Sequence, residues 1–272
     1  PLLGDVAHLP LPYDAGLRFS PGQPQQGAHY ADALLQLLEI HDPATVAAVI
    51  VEPVTGSGGV YAPPLGYLQR LREICDRHGV LLIFDEVITG FGRLGHGFAA
   101  QAFGVTPDLM TLAKGLTNGA VPMGGVLVSG AVYEAFMQGP EQAIELMHGY
   151  TYSAHPLACA AGLATLQVHE ELAINTHVQQ LAPLWQARAL ALREQPWVLD
   201  VRATGLLCAV ELKPREGAPG ARAGEVAQRC YEAGVLVRAS GDNILLSPPL
   251  IISEEQVALV FHTLGAALEA TR

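Results

Sequence analysis

One lysine and one acidic pair stand out among the residues that could do chemistry. Only two lysines occur in the 272 residues, and Lys114 lies in the apolar, glycine-flanked run 112–115, 29 positions after Asp85. Asp85 follows the apolar run 80–84 and precedes Glu86. An amine in apolar surroundings loses its proton readily and can attack a carbonyl to form a Schiff base, which arginine cannot do. The spacing predicts a carboxylate and a reactive amine at one carboxyl edge of a parallel sheet, where ligands bind in α/β folds.

Other interpretations of these residues stay open at this point. An apolar strand that ends in Asp-Glu is also the magnesium-binding strand of P-loop ATPases. That class needs a G-x-x-x-x-G-K-[ST] loop, whereas Lys114 precedes Gly115 and Lys213 precedes Pro214. Asp85 could instead cap a turn, and Lys114 could be a strand-end lysine whose stem covers apolar surface. We interpret Lys213 as a surface residue.

The apolar runs indicate an α/β fold whose strands position these groups. Helical periodicity alternates with short apolar runs, as in βαβ units of a mainly parallel sheet. The unbroken run 46–51 predicts a strand buried on both faces. A long helical region, 156–192, is expected to link a large domain, 1–192, to a small α+β domain, 193–272. The other expected strands are 80–84, 125–128, 198–202, 206–212, 235–238 and 244–246, with an apolar segment at 109–113, and the other expected helices are 28–40, 64–78, 223–233 and 253–270.

Composition limits the classes of partner. A formal charge of -11 argues against binding to nucleic acid or to an anionic membrane surface. No apolar stretch approaches the length of a membrane span. The four cysteines are scattered without a C-x-x-C pair, which favours buried thiols in the cytoplasm over disulfides. The ten histidines include no H-E-x-x-H spacing, so no metal site is expected.

Five ordered motifs make the sequence similar to a known family. They are V-E-P at 51–53 with G-S-G-G at 56–59, L-I-F-D-E-V-I-T-G-F-G-R at 82–93, P-D-L at 107–109, A-K-G at 113–115, and H-G-Y-T-Y-S-A-H-P at 148–156. Together they resemble the class III aminotransferases, or ω-aminotransferases, and most of all the branch that uses β-alanine or other ω-amino acids with pyruvate. The resemblance implies the fold of PLP-dependent transferases of type I, pyridoxal 5′-phosphate as cofactor, and a homodimer that transfers an amino group from an amine donor to pyruvate.

The resemblance also implies roles for five residues. Lys114 would hold the cofactor as a Schiff base and move a proton at the substrate carbon, and Asp85 would pair with the pyridinium nitrogen. Val87 would pack on one face of the ring, and Thr151 would bind the cofactor phosphate across the dimer interface. Arg238 would bind the substrate carboxylate in a bidentate pair. From the residues alone, Val87 could equally be a core valine, Thr151 a turn residue and Arg238 a surface arginine.

Ser57 and the start of the chain bear on what this resemblance implies. Relatives that act on ornithine or γ-aminobutyrate have glutamate at the position of Ser57, so serine favours the ω-amino acid:pyruvate branch. The family's N-terminal part, with its phosphate-binding loop, is not matched. We therefore expect residues 1–272 alone to bind the cofactor weakly and to expose apolar surface. Two alternatives stay open, namely another reaction with the same cofactor, such as a racemase or aminomutase, and a non-catalytic fragment.

Overall fold

The computed structural model describes residues 4–140, 142 and 146–271, and its first half contains a four-stranded sheet. The elements are β1 Ala48–Val51, β2 Leu81–Asp85, β3 Leu109–Leu112 and β4 Gly125–Val128, with helices α1 Ala33–His41, α2 Tyr67–His78, α3 Ala99–Phe103 and α4 Gly130–Phe136. The strand order is β1-β2-β3-β4. The first three strands run parallel, and β4 runs antiparallel to β3. The predicted mainly parallel sheet is therefore confirmed.

Helices cover one face of this sheet, and Asp85 belongs to the other face. Leu82 and Phe84 point into a fully buried core that includes α2. Side chains alternate along a strand, so Asp85 lies on the opposite face, together with Ile50, which is 60% exposed. The prediction of a strand at 46–51 buried on both faces is therefore wrong for the described residues, because Ile50 is largely exposed.

The second half contains a separate four-stranded sheet. Its elements are α5 Pro156–Glu171, α6 Ile174–Ala191, β5 Val198–Thr204, β6 Leu207–Leu212, α7 Ala221–Glu232, β7 Arg238–Ser240, β8 Asn243–Leu246 and α8 Glu254–Ala270. The strand order is β5-β6-β8-β7, and every neighbouring pair is antiparallel. Residues of α6, α7 and α8 share one hydrophobic core with this sheet, around Trp185 and Leu264. This arrangement agrees with the expected α+β pattern.

Several predicted element bounds differ from the structure. Residues 28–32 form a 3-10 helix before α1, so the predicted helix 28–40 is divided. The predicted helical region 156–192 consists of α5 and α6, which are separated at Ala173, where φ is 47°. The predicted strand 235–238 overlaps β7 only at Arg238, although Val235 and Val237 are buried. In this segment the apolar pattern thus identified two buried valines but not where the ladder hydrogen bonds begin.

The two sheets meet through a small apolar contact. Val54 and Val60, which follow β1, are buried against Leu207 and Ala209 of β6. Ile88, which follows β2, packs against the same four residues. The loops that leave the carboxyl edge of the first sheet therefore rest directly on the second sheet.

All four cysteines are free thiols. Burial raises the pKa of Cys208 to about 12 and that of Cys75 to about 11. No His, Cys, Asp or Glu side chains within the described ranges are grouped so that three could hold a metal ion. None of the helices in the described part of the chain is both long and apolar enough to cross a membrane.

Candidate active site

Asp85 is the last residue of β2 and has a free carboxylate oxygen. Its Oδ1 accepts a hydrogen bond from the backbone N–H of Val87 at 3.0 Å. Within the described residues its Oδ2 has no protein partner. The side chain is half-buried. Asp85 therefore has a fixed orientation and one oxygen available to a ligand.

The adjacent Glu86 serves a different purpose. It is fully buried, and its carboxylate accepts hydrogen bonds from the N–H groups of Ala99 and Ala100, each at 2.8 Å. These are backbone donors of the first turn of α3, which a helix cannot satisfy internally. Glu86 is thus a helix cap, and of the acidic pair only Asp85 is available for chemistry.

Lys114 begins a short 3-10 helix, Lys114–Thr117, two residues after β3 ends. Its φ is 47°, a left-handed conformation that costs a non-glycine residue on the order of 1 kcal/mol. The next residue, Gly115, lies so close to Phe91 that an added Cβ would be 2.8 Å from the Phe91 Cβ. On the other side, the 3-10 helix packs on α5, where an added Cβ on Gly162 would be 3.6 Å from the carbonyl oxygen of Leu116. Packing on both sides therefore holds Lys114 in its strained conformation.

The side chain of Lys114 is solvent-exposed within this chain and has no hydrogen bond or ion pair to any described residue. The apolar neighbours of Lys114 in the sequence predict a desolvated amine. That prediction is wrong for the described residues, where the side chain is exposed and Lys114 lies two residues beyond the end of β3. An exposed, unpaired primary amine remains available to react with a carbonyl compound.

Thr111 joins Asp85 and Lys114 at this edge. It is the direct register partner of Asp85 across the parallel β2–β3 pair, so the two side chains lie on the same face. The Oγ1 of Thr111 is buried and has no hydrogen-bond partner among the described residues. A buried hydroxyl without a partner costs about 1–3 kcal/mol. Sequence reasoning missed Thr111, although it is the one polar residue within the strand Leu109–Leu112.

Val87 and Thr151 have different surroundings. Val87 is half-buried and directly follows the acidic pair. Thr151 is exposed, five residues before α5, in a loop whose Tyr150 and Tyr152 are each 79% exposed. Because α5 packs on the 3-10 helix Lys114–Thr117, the end of this loop leads toward the lysine. The roles of Val87 and Thr151 stay predictions.

Arg238 lies on the second sheet. It is the first residue of β7, the edge strand, and its side chain is exposed. It forms no ion pair with any described carboxylate. Its register partner is Leu245, which packs on the same apolar cluster as Ile88. The guanidinium is therefore free to bind an anion, and its role stays a prediction.

Arg93 is the last residue of the motif at 82–93, and the sequence alone indicates no role for it. Its Nη1 donates to the carbonyl oxygen of Pro248 at 2.6 Å. Burial lowers the pKa of Arg93 to about 10. The backbone N–H of Leu206 in turn donates to the carbonyl oxygen of Arg93 at 3.0 Å. Arg93 thus ties the loop after β2 to the second sheet.

The residues at the edge fit the cofactor that the resemblance implies. An aldehyde-bearing pyridine ring needs an amine for its carbonyl carbon and an acid for its ring nitrogen. Among the residues that the structure describes, the amine of Lys114 has no partner, and neither does one carboxylate oxygen of Asp85. The buried Oγ1 of Thr111, which has no hydrogen-bond partner among the described residues, offers a further polar group at the same edge.

Comparison with known proteins agrees with this geometry. The family model "Aminotransferase class-III" matches residues 1–268. An omega-aminotransferase of Caulobacter vibrioides is 53% identical over 98% of this chain, and a beta-alanine–pyruvate aminotransferase of Pseudomonas aeruginosa is 49% identical over 98%. A crystal structure of the omega transaminase of Pseudomonas jessenii in complex with PMP has a TM-score of 0.88 at 33% identity, covering 99% of this chain.

This chain spans only part of each of these proteins. It covers 61% of the length of the Caulobacter protein, 60% of the Pseudomonas aeruginosa protein and 61% of the chain in the crystal structure. The similarity nevertheless extends over almost the whole of this chain and includes both sheets. The chain therefore has the fold of PLP-dependent transferases of type I. The chain belongs to the class III aminotransferase family.

Proposed function

We propose that this chain is part of an aminotransferase that uses pyridoxal 5′-phosphate to move an amino group from an ω-amino acid or amine to pyruvate. One observation supports this most directly. Asp85 and Lys114 stand at the carboxyl edge of adjacent parallel strands, and the amine has no described partner. The two curated relatives named above are an omega-aminotransferase and a beta-alanine–pyruvate aminotransferase, which favours pyruvate as the acceptor.

Each site residue would then have a defined task. Bound pyridoxal phosphate supplies an electron sink that stabilises negative charge on the substrate carbon next to the nitrogen. Lys114 would bind the cofactor covalently through Nζ and, when its amine is free, would carry a proton to and from that carbon. Asp85 keeps the proton on the ring nitrogen by its negative charge. Val87 would pack against the ring, and Thr151 would donate a hydrogen bond to the phosphate.

Arg238 would hold the carboxylate of the substrate. A guanidinium and a carboxylate form two parallel hydrogen bonds, which fixes both the distance and the orientation of the bound acid. Both pyruvate and β-alanine carry a carboxylate, so one arginine can serve both half-reactions. The absence of a described ion pair at Arg238 leaves its donors available for this purpose.

We further propose a homodimer in the cytoplasm, with residues 1–192 and 193–272 as its large and small domains in this part of the chain. The exposed loop around Thr151 supports a dimer, since a residue with few contacts in its own chain can serve the site of a partner. The four free thiols agree with a reducing compartment. The formal charge of -11 argues against nucleic acid or an anionic membrane as a partner.

A colour cycle tests this function. The purified, cofactor-loaded protein should be yellow, lose its visible absorption band when an ω-amino acid or amine is added, and regain it with pyruvate while alanine forms. A band that persists with the donor, or that returns without pyruvate, would favour a racemase or aminomutase. Protein that takes up no cofactor at all would favour a non-catalytic role.

A further inference from the structure

A buried arginine outside the proposed site connects its two halves. Arg202 of β5 is only 6% exposed. Its guanidinium donates hydrogen bonds to the carbonyl oxygen of Gly59 at 2.6 Å, to Asp200 at 2.6 Å, to Glu211 at 2.6 Å and to Asn243 at 2.8 Å. These partners come from the loop after β1 and from three strands of the second sheet. We refer to these five residues as the Arg202 hub.

Aromatic rings hold the guanidinium in place. The ring of Tyr61 lies 4.2 Å from the guanidinium carbon and that of Tyr13 lies 5.6 Å from it. Tyr13 also donates a hydrogen bond to Asp200, and the backbone N–H of Phe19 donates to the same carboxylate at 2.6 Å. A planar fork stacked on aromatic faces has little freedom to move. The hub therefore has one defined geometry.

One arm of the hub leads to Arg238. The Nη2 of Arg202 binds Asn243, the first residue of β8. Asn243 is the register partner of Ser240, the last residue of β7. Arg238 begins that three-residue strand. The position of Arg238 along its strand is thus connected to the guanidinium of Arg202 through one side-chain bond and one ladder pair.

The other arm leads to the segment after Asp85. Gly59 closes a turn with Gly56, whose N–H donates to Glu52 at 2.9 Å. Gly56 lies so close to Ile88 that an added Cβ would be 2.6 Å from the Ile88 Cδ1. Ile88 directly follows Val87. The turn that Arg202 binds therefore packs against the side chain of Ile88, the residue next to Val87.

The charges of the hub are better suited to fixing geometry than to stabilising the fold. One guanidinium lies between Asp200, which is fully buried, and Glu211, which is 27% exposed at its side chain. Desolvation offsets much of the attraction in buried ion pairs, and apolar replacements are often as stable. Such groups do impose a single arrangement on the elements they join, because any other arrangement leaves a buried charge unpaired.

We propose that Arg202 is a positioning residue that sets the distance between Arg238 and the segment Asp85–Ile88. It would thereby select the chain length of the carboxylate-bearing amine that the site accepts. This inference rests on the proposed function, because it assigns Arg238 to the carboxylate and Asp85 to the cofactor. A substrate that spans the two must match the distance that the hub imposes.

The variant Arg202→Lys tests the proposal, with Arg222→Lys as a matched control. Lysine keeps the positive charge but cannot reach Gly59 and Asn243 together, since it has one nitrogen instead of a fork. Arg222 is also buried, at 5% exposed, and stacks on Trp197 at 4.1 Å, yet its bond goes to Lys213 within the second half of the chain. Both variants lose a buried stacked arginine, and only the first loses the connection between the sheets.

Amide hydrogen exchange measures, without any substrate, whether the two segments that Arg202 connects are held in place. In Arg202→Lys we expect exchange at Gly59 and Ser240 to rise by about tenfold or more, whereas Arg222→Lys should leave both amides within about twofold of wild type. This measurement remains decisive if wild-type protein proves not to transaminate, so failure of the proposed function is distinguishable from failure of this inference. Unchanged exchange at both amides in a folded Arg202→Lys protein overturns the proposal.

Substrate preference provides the second readout. With ω-amino acids of three to six carbons, Arg202→Lys should change the ratio of kcat/KM between the shortest and the longest donor by about tenfold, mainly through KM. Its kcat/KM for a simple amine without a carboxylate should change by less than about threefold, as should the ratio in Arg222→Lys. Equal losses for all donors overturn the assignment to selectivity. If Arg202→Lys does not fold, Asn243→Ser removes one arm only, and the same ratio should shift in the same direction.

Discussion

Asp85 and Thr111 face each other across two parallel strands, and Lys114 follows Thr111 by three residues. Parallel pairing brings these strand ends to one edge although 26 positions separate Asp85 from Thr111 in the sequence. Within the described residues, a carboxylate oxygen, a hydroxyl and an amine at this edge thus have no protein partner. That coincidence is the physical basis for assigning the site.

Replacing Asp85 by Asn should slow the chemical step while leaving the fold intact. The amide is isosteric and can still accept the hydrogen bond from Val87, but it no longer holds a proton on the ring nitrogen. We expect a loss on the order of a hundredfold or more in the single-turnover rate with an amine donor. A matched control is Glu86→Gln, which weakens the cap of α3 and should lower the melting temperature more than the rate. A near wild-type rate for Asp85→Asn would mean that Asp85 is structural.

Replacing Thr111 by Val should have opposite effects on stability and on cofactor binding. In cofactor-free protein the substitution removes a buried hydroxyl that has no described partner. The free energy of unfolding in urea should therefore rise by on the order of 1 kcal/mol. Cofactor affinity should fall if the hydroxyl serves the bound ring. A destabilised cofactor-free variant would show that Thr111 already has a partner, such as an ordered water.

Replacing Arg238 by Ala should discriminate between donors. If the guanidinium binds carboxylates, the half-reactions with β-alanine and pyruvate should lose up to several kcal/mol in kcat/KM, about 1.4 kcal/mol for each factor of ten. The half-reaction with an amine that lacks a carboxylate should change little. Rapid-mixing spectroscopy of each half-reaction measures the difference. Equal losses for both kinds of donor would point to a folding role for this edge-strand residue.

Replacing Gly205 by Ala should destabilise the contact between the two sheets. Gly205 has φ of 52°, and an added Cβ would be 2.4 Å from the carbonyl oxygen of Arg93. Gly104 has φ of 65° with nothing within 4 Å, so Gly104→Ala is a control for backbone strain alone. We expect a loss of about 1 kcal/mol for the control and about 2–4 kcal/mol for Gly205→Ala in urea unfolding. Equal losses would mean that the loop carrying Arg93 moves aside freely.

Much of this architecture could be predicted from the sequence because its signals are local. The bounds of α2 could be predicted to within a few residues, because its apolar periodicity and the glycine that ends it are both visible in the sequence. Asp85 and Lys114 could be proposed as site residues from the sequence alone, because an acid after an apolar run and a rare lysine are both local features. The exposure of Ile50 was not predictable, since it depends on which residues cover the sheet.

The unpredicted part of the site depends on pairing between distant residues. Thr111 gains significance only from its register with Asp85, and register is not readable from either strand alone. The same holds for Arg202, whose partner Gly59 lies 143 positions away. Glu86 could not be separated from Asp85 until the first turn of α3 was seen to bind its carboxylate.

Reduction of the cofactor-loaded protein with borohydride tests the central claim most directly. A Schiff base between a lysine and an aldehyde becomes a stable secondary amine, which survives digestion and is located by mass spectrometry. The two lysines of this sequence provide an internal comparison, because Lys213 is also exposed but directly follows β6 of the second sheet. We predict the pyridoxyl mass on the peptide that contains Lys114, its loss in Lys114→Ala, and its retention in Lys213→Arg. A stoichiometric label on any other residue, or one that persists in Lys114→Ala, would contradict the account.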